Sequence, residues 1–129
     1  MGQRILLSCD NCGCKKEMSV GAGLMSRNPD IIASCLKEGE AGKWRQLYNG
    51  QKIDSFRAQQ KVFYCEHCND LSCQLTVDAV LTDGKETAFG YKCKKCNNKL
   101  QEVNLEAHHM VCPICKVGDL SWKQVGFWD

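Results

Sequence analysis

The chain has 129 residues, a formal net charge of +2 and eleven cysteines. That length suits one domain or two very small ones, and the near-neutral charge excludes a globally basic nucleic-acid-binding protein. No stretch approaches the roughly 18 to 20 apolar residues of a membrane span, and residues 1 to 20 lack the continuous apolar run of a signal peptide. The cysteines are therefore expected in a reducing, cytoplasmic setting, where closely spaced pairs favour metal over disulfide.

In chain order, "RILLSCDNCGCKKEMSVGAGLMS" reads as a strand, a cysteine turn and a second strand. Gly13 follows Cys12, where a tight turn favours a residue that tolerates positive φ. Asn28 can cap a helix with Pro29 in its first turn, and Ile31, Ile32, Cys35 and Leu36 give that helix one apolar face before Gly39 stops it. A second helix is predicted around Trp44, Leu47 and Tyr48, interrupted at Gly50. The three-residue spacing of Ile53 and Phe56 extends the apolar face into another short helix.

From "KVFYC" onward the pattern is that of strands. Leu71, Cys73, Leu75, Val77, Ala79 and Leu81 alternate with mostly polar residues, which predicts a one-sided strand. Asp83-Gly84 is a turn signal before "TAFGYKC", giving the clearest hairpin. The last segment places strands near "KLQEVNL" and "LSWKQVGFW".

Four C-x-x-C pairs punctuate these elements: Cys9 and Cys12, Cys65 and Cys68, Cys93 and Cys96, Cys112 and Cys115. Each brings two thiolates to one point, so four pairs predict two tetrahedral sites. Fifteen residues separate Cys96 from Cys112, inside the usual zinc window. Local closure therefore pairs the third turn with the fourth, leaving the first to meet the second across 52 residues. The alternative joins the middle two turns and the outer two. Two structural Zn2+ ions are the expected cofactors because zinc is redox-inert and fits a closed thiolate cage, and iron fits the same cage. Two such centres add eight negative and four positive charges, taking +2 to about −2.

Three cysteines remain. Cys35 and Cys73 fall on apolar faces and read as small core residues. Cys14 has three readings: a replacement ligand, a donor to metal-bound sulfur, or an exposed thiol. Among the histidines, His67 is expected to face solvent, while His108 or His109 could substitute for a cysteine in the last site, which four cysteines already complete.

No catalytic constellation emerges, and the chain is read as a non-enzyme. "CPIC" lacks the helix that lowers a redox thiol's pKa, "GAGLMS" has no βαβ unit around it, and the deaminase order of ligand, glutamate and P-C-x-x-C is missing. "YKCKKCNNK" gathers Lys92, Lys94, Lys95 and Lys99 beside Phe89 and Tyr91, a combination that serves base stacking and phosphate contact, or equally offsets thiolate charge beside a small core. Trp44, Trp122, Phe127 and Trp128 are candidate anchors for a protein partner, with Trp122 alternatively covering a metal site.

The turns "CDNCG", "CEHC", "CKKC" and "CPIC" resemble the zinc-ribbon class and its rubredoxin-like relatives. The wider order, with a "SVGAGLM" strand and a "KWRQL" helical segment between the first and second turns, resembles uncharacterised bacterial double zinc-ribbon proteins. The resemblance implies a small metal-stabilised α+β fold of two β zinc ribbons, residues 1–83 with a helical insertion over about 28–60, and residues 84–129. It implies a noncatalytic adaptor or regulatory protein acting through protein contacts, with nucleic-acid binding and iron-based electron transfer as alternatives. One departure concerns the last turn, where Lys116 stands in place of glycine or asparagine and accepts positive φ less readily.

Overall fold

A computed structural model describes residues 2–23, 27–105 and 111–128. The first cysteine turn joins β1 (Gly2–Cys9) to β2 (Lys15–Val20) as an antiparallel hairpin, as the sequence predicts. α1 (Pro29–Cys35) begins where Asn28 Oδ1 accepts from the amides of Asp30, at 2.9 Å, and Ile31. It ends because Leu36 is extended, which exposes an error in the predicted boundary. Gly39 stops nothing, since it lies in the first turn of α2 (Glu38–Asn49).

α2 carries two internal glycines, Gly39 and Gly42, each costing about 1 kcal/mol of intrinsic helix preference. Packing compensates. Trp44 is fully buried, its indole Nε1 donates to Pro29 O at 3.1 Å, and Phe56 and Phe89 meet its ring edge-on.

The predicted third short helix is instead the start of β3 (Ile53–Cys65). β3 pairs with β4 (Asp70–Leu81), and an irregularity between Ile53 and Ser55 shifts the register by one residue. Ile53 then lies opposite Leu81 and Phe56 opposite Ala79, so two residues three apart share one face of a strand. A bulge has reproduced the spacing of a helix. The helical insertion accordingly ends at Asn49 rather than near residue 60.

β5 (Glu86–Phe89) returns along β4 after the Asp83-Gly84 turn, and β6 (Gln101–Glu102) flanks β3 on the other side. This sheet runs β5-β4-β3-β6, while the other runs β2-β1-β7 with β7 (Leu120–Trp128) beside the first strand of the chain. The long β3–β4 pair forms a shared wall. One of its faces holds Ala58, Leu75, Val77 and Ala79 against the helices, and Val62, Tyr64 and Leu71 against Ile5, Leu7 and Met18 of the smaller sheet. Its opposite face holds Phe63 with Leu100 and the second and third cysteine turns.

β4 is therefore covered on both faces over its middle, more than its alternation predicts. Gln74 and Thr76 are buried, with Gln74 Nε2 donating to the carbonyls of Gly90 and Lys92 and Thr76 Oγ1 to Gln59 O. Gly90, at φ 86, lets the chain cross from the face holding Phe89 to the one holding Tyr91. A side chain there would strike the Leu75 carbonyl. Among the described residues no helix is long and apolar enough to cross a membrane.

Candidate metal centres

All four cysteine turns share one backbone device. The residue after each second cysteine has positive φ: Gly13 at 71°, Asn69 at 49°, Asn97 at 63° and Lys116 at 62°. Lysine costs more in this conformation than glycine or asparagine. Its amide is nevertheless engaged, donating to Cys112 O at 2.8 Å, the same bond that Asn97 makes to Cys93 O.

The turns meet in two groups of four thiols: Cys9, Cys12, Cys112 and Cys115, and Cys65, Cys68, Cys93 and Cys96. All eight cysteines of the four pairs fall in one group or the other, but local closure does not decide their partners. The third turn meets the second, not the fourth, and the first meets the fourth. Strand pairing explains the outcome. β7 leaves the fourth turn alongside β1, with Leu120 opposite Cys9, and β6 leaves the third turn alongside the end of β3, with Gln101 opposite Tyr64. Closing 99 residues between Cys12 and Cys112 rather than 52 costs only about 0.6 kcal/mol more by the logarithmic law. A whole ladder of strand hydrogen bonds outweighs that difference.

The four sulfurs of each set lie within 4.8 Å of one another, close enough to hold a metal ion. A metal–sulfur bond of about 2.3 Å sets sulfur–sulfur edges of about 3.8 Å. Cys9 and Cys115 lie 3.6 Å apart, Cys65 and Cys96 3.5 Å, and Cys68 and Cys93 3.9 Å. Four thiolates complete such a cage and leave no open coordination position.

Surrounding N–H groups point at the sulfurs. Gly118 N donates to Cys115 Sγ and Cys68 N to Cys65 Sγ, both at 3.4 Å, and Asn98 Nδ2 donates to Cys96 Sγ at 3.3 Å. Backbone N–H donation from Asn98 holds Cys96 down at about 6, and donation from Gly118 and Val117 does the same for Cys115. Their neighbours move the other way. Cys68 is pushed up to about 12 by hydrogen bonding to Cys96, and at Cys12 the backbone bond at Cys14 favours the thiolate but hydrogen bonding with Cys9 and the other thiols outweighs it and raises the group to about 12. Each cluster thus has one easily ionised thiol beside two whose ionisation is held back, Cys12 and Cys112 in one and Cys65 and Cys68 in the other.

The outer cluster depends on close approach of its two turns. A Cβ on Gly118 would stand 2.8 Å from Cys9 Sγ and crowd Asn11. Asp10 Oδ1 accepts from Asp119 N at 3.0 Å, tying the same turns together.

The remaining candidates fall outside both ligand sets. Cys14 is half-buried against the core between the sheets, and its carbonyl accepts from Cys9 N. Cys35 and Cys73 are also half-buried and pack against cores, with Cys73 bordering a cavity of about 180 Å3 beside the middle cluster. His67 is exposed. His108 and His109 lie outside the described residues.

The lysine-rich turn is exposed, but its aromatic neighbours are occupied. Phe89 is buried, and Tyr91 packs edge-on against Phe63 while its hydroxyl donates to Asp78. Lys94 donates to Cys35 O and Lys95 pairs with Asp70. Of the four candidate anchors, Trp44 is core, Trp128 Nε1 donates to Val20 O, Trp122 Nε1 donates to Leu105 O, and Phe127 is exposed.

No protein-family model, curated protein or solved structure matches the chain.

Proposed function

We propose that the chain is a cytoplasmic, noncatalytic double zinc-ribbon adaptor that works through protein contacts. Two closed four-thiolate cages support a structural role for the metal, and zinc suits them because it needs neither redox chemistry nor a further ligand. The observation that carries the protein-contact reading is the distribution of exposed apolar side chains. Of the six large ones among the described residues, five lie between 111 and 127: Val111, Val117, Trp122, Val125 and Phe127. β7, which carries the last three, has among the described residues a neighbouring strand on one side alone. An open strand edge with apolar side chains is a surface that a partner polypeptide can extend or cover.

Affinity purification of the full chain from its native cell, with nuclease treatment, tests the reading. A stoichiometric protein partner should survive nuclease and be lost on Phe127→Ala. Recovery of nuclease-sensitive material alone would favour the nucleic-acid alternative. A red protein with a visible thiolate-to-iron absorption would replace zinc by iron and make electron transfer the better account.

A further inference from the structure

The third cysteine turn carries a local conflict of charge. Lys92 and Lys99 stand directly opposite each other in an antiparallel bridge at the base of the turn. The flanking bonds are Cys93 N to Asn98 O and Leu100 N to Tyr91 O, so this is a non-hydrogen-bonded pair, the register in which facing side chains come closest. Opposed like charges destabilise such a pair. Both lysines are exposed, and neither side chain has a partner among the described residues. Lys94 and Lys95 add positive charge on the same turn, and Asp70, the nearby acid, is shared between Lys16 and Lys95.

We propose that Lys92 and Lys99 form an anion-binding fork whose partner is a short, carboxylate-rich segment of another polypeptide. A ligand carboxylate between the two ammonium groups would relieve their repulsion. Two features favour an acidic peptide over a nucleic acid. Bases would find no free aromatic platform, because Phe89 is buried and Tyr91 is held by Phe63 and Asp78. The metal-loaded protein carries about −2 overall, so a long polyanion is repelled, whereas a short segment feels mainly charges within about 8 Å, where the four lysines of the turn outweigh the roughly −2 of the loaded middle centre. The fork is separate from the apolar surface on β7 and shares with the adaptor reading only a polypeptide partner.

The test is fluorescence anisotropy on the metal-loaded full chain with three probes: a glutamate-glycine decapeptide, a serine-glycine decapeptide and a short DNA duplex. The acidic peptide should bind in a salt-sensitive manner and the neutral peptide should not. Lys92→Gln/Lys99→Gln should weaken binding about tenfold, while Lys43→Gln/Lys52→Gln, on exposed lysines within α2 and just after it, should leave it unchanged. Lys99→Glu gives a second readout, because an opposite-charge pair should raise Tm by about 1 to 4 °C while peptide binding is lost. No binding of the acidic peptide, tighter binding of the duplex, equal losses in both double variants, or a lowered Tm with retained binding would each overturn the proposal. No β7 residue enters the assay, so failure of the apolar-surface reading leaves its result standing.

Discussion

Pairwise removal of cysteines distinguishes the observed ligand grouping from the one that local closure predicts. Cys12→Ser/Cys115→Ser takes two ligands from the outer cluster and none from the middle one, so native mass spectrometry should find one metal ion per chain. Cys12→Ser/Cys68→Ser takes one ligand from each cluster, and both sites should lose affinity. The energetic asymmetry follows from loop lengths. Treated as cross-links, an outer site closing 99 residues constrains the unfolded chain by about 4.7 kcal/mol, and a middle site closing 24 residues by about 3.4 kcal/mol. Tryptophan fluorescence then reports which unit loosens. Trp122 and Trp128 lie on β7 and should shift to the red in the outer-site variant, while fully buried Trp44 keeps its blue emission. Retention of one tightly bound metal by Cys12→Ser/Cys68→Ser, with none held by Cys12→Ser/Cys115→Ser, would refute the grouping.

Metal affinity should climb steeply with pH. In each cluster at least two thiols hold protons at neutrality, Cys12 and Cys112 in one, Cys65 and Cys68 in the other, so chelator competition should show a gain of at least about 100-fold per pH unit between pH 7 and 9. A slope near zero would mean that the apo clusters are already ionised. Gly118→Ala should lower affinity at the outer site with little effect at the middle one, because the added methyl meets Cys9 Sγ; equal affinity at both sites would show that the turn relaxes freely. Trp44→Ala should cost about 3 to 5 kcal/mol in urea unfolding, with both metals retained in native buffer. A loss under 1 kcal/mol would deny the helices their anchoring role.

The sequence made the local devices readable and hid the long-range ones. Asn28 and Pro29 announce α1, Asp83-Gly84 announces the β4–β5 hairpin, and the eight clustered cysteines announce themselves by spacing. Each of these signals lies within a few residues and rests on local backbone chemistry. The partnership of the clusters depends instead on β1 pairing with β7, two segments more than a hundred residues apart that carry no mark of each other. Ile53 and Phe56 misled for a related reason, since the bulge that places them on one face exists because β4 lies alongside. Gly39 misled because the burial of Trp44 and Ala41 holds α2 together across residues that weaken it alone. Lys116 marks the limit of residue preference in turns, because ring closure around the sulfurs overrides its reluctance to adopt positive φ.

The nesting of one cluster inside the other sets a timetable for a chain synthesised from its N-terminus. The middle cluster is complete once Cys96 has emerged, so β3, β4 and their cysteine turns can be sealed early. Cys9 and Cys12 are made first and satisfied last, waiting for Cys112 and Cys115. During that interval the newborn chain carries an unmatched pair of thiols, and the closing of β7 along β1 brings them their partners and buries Cys9.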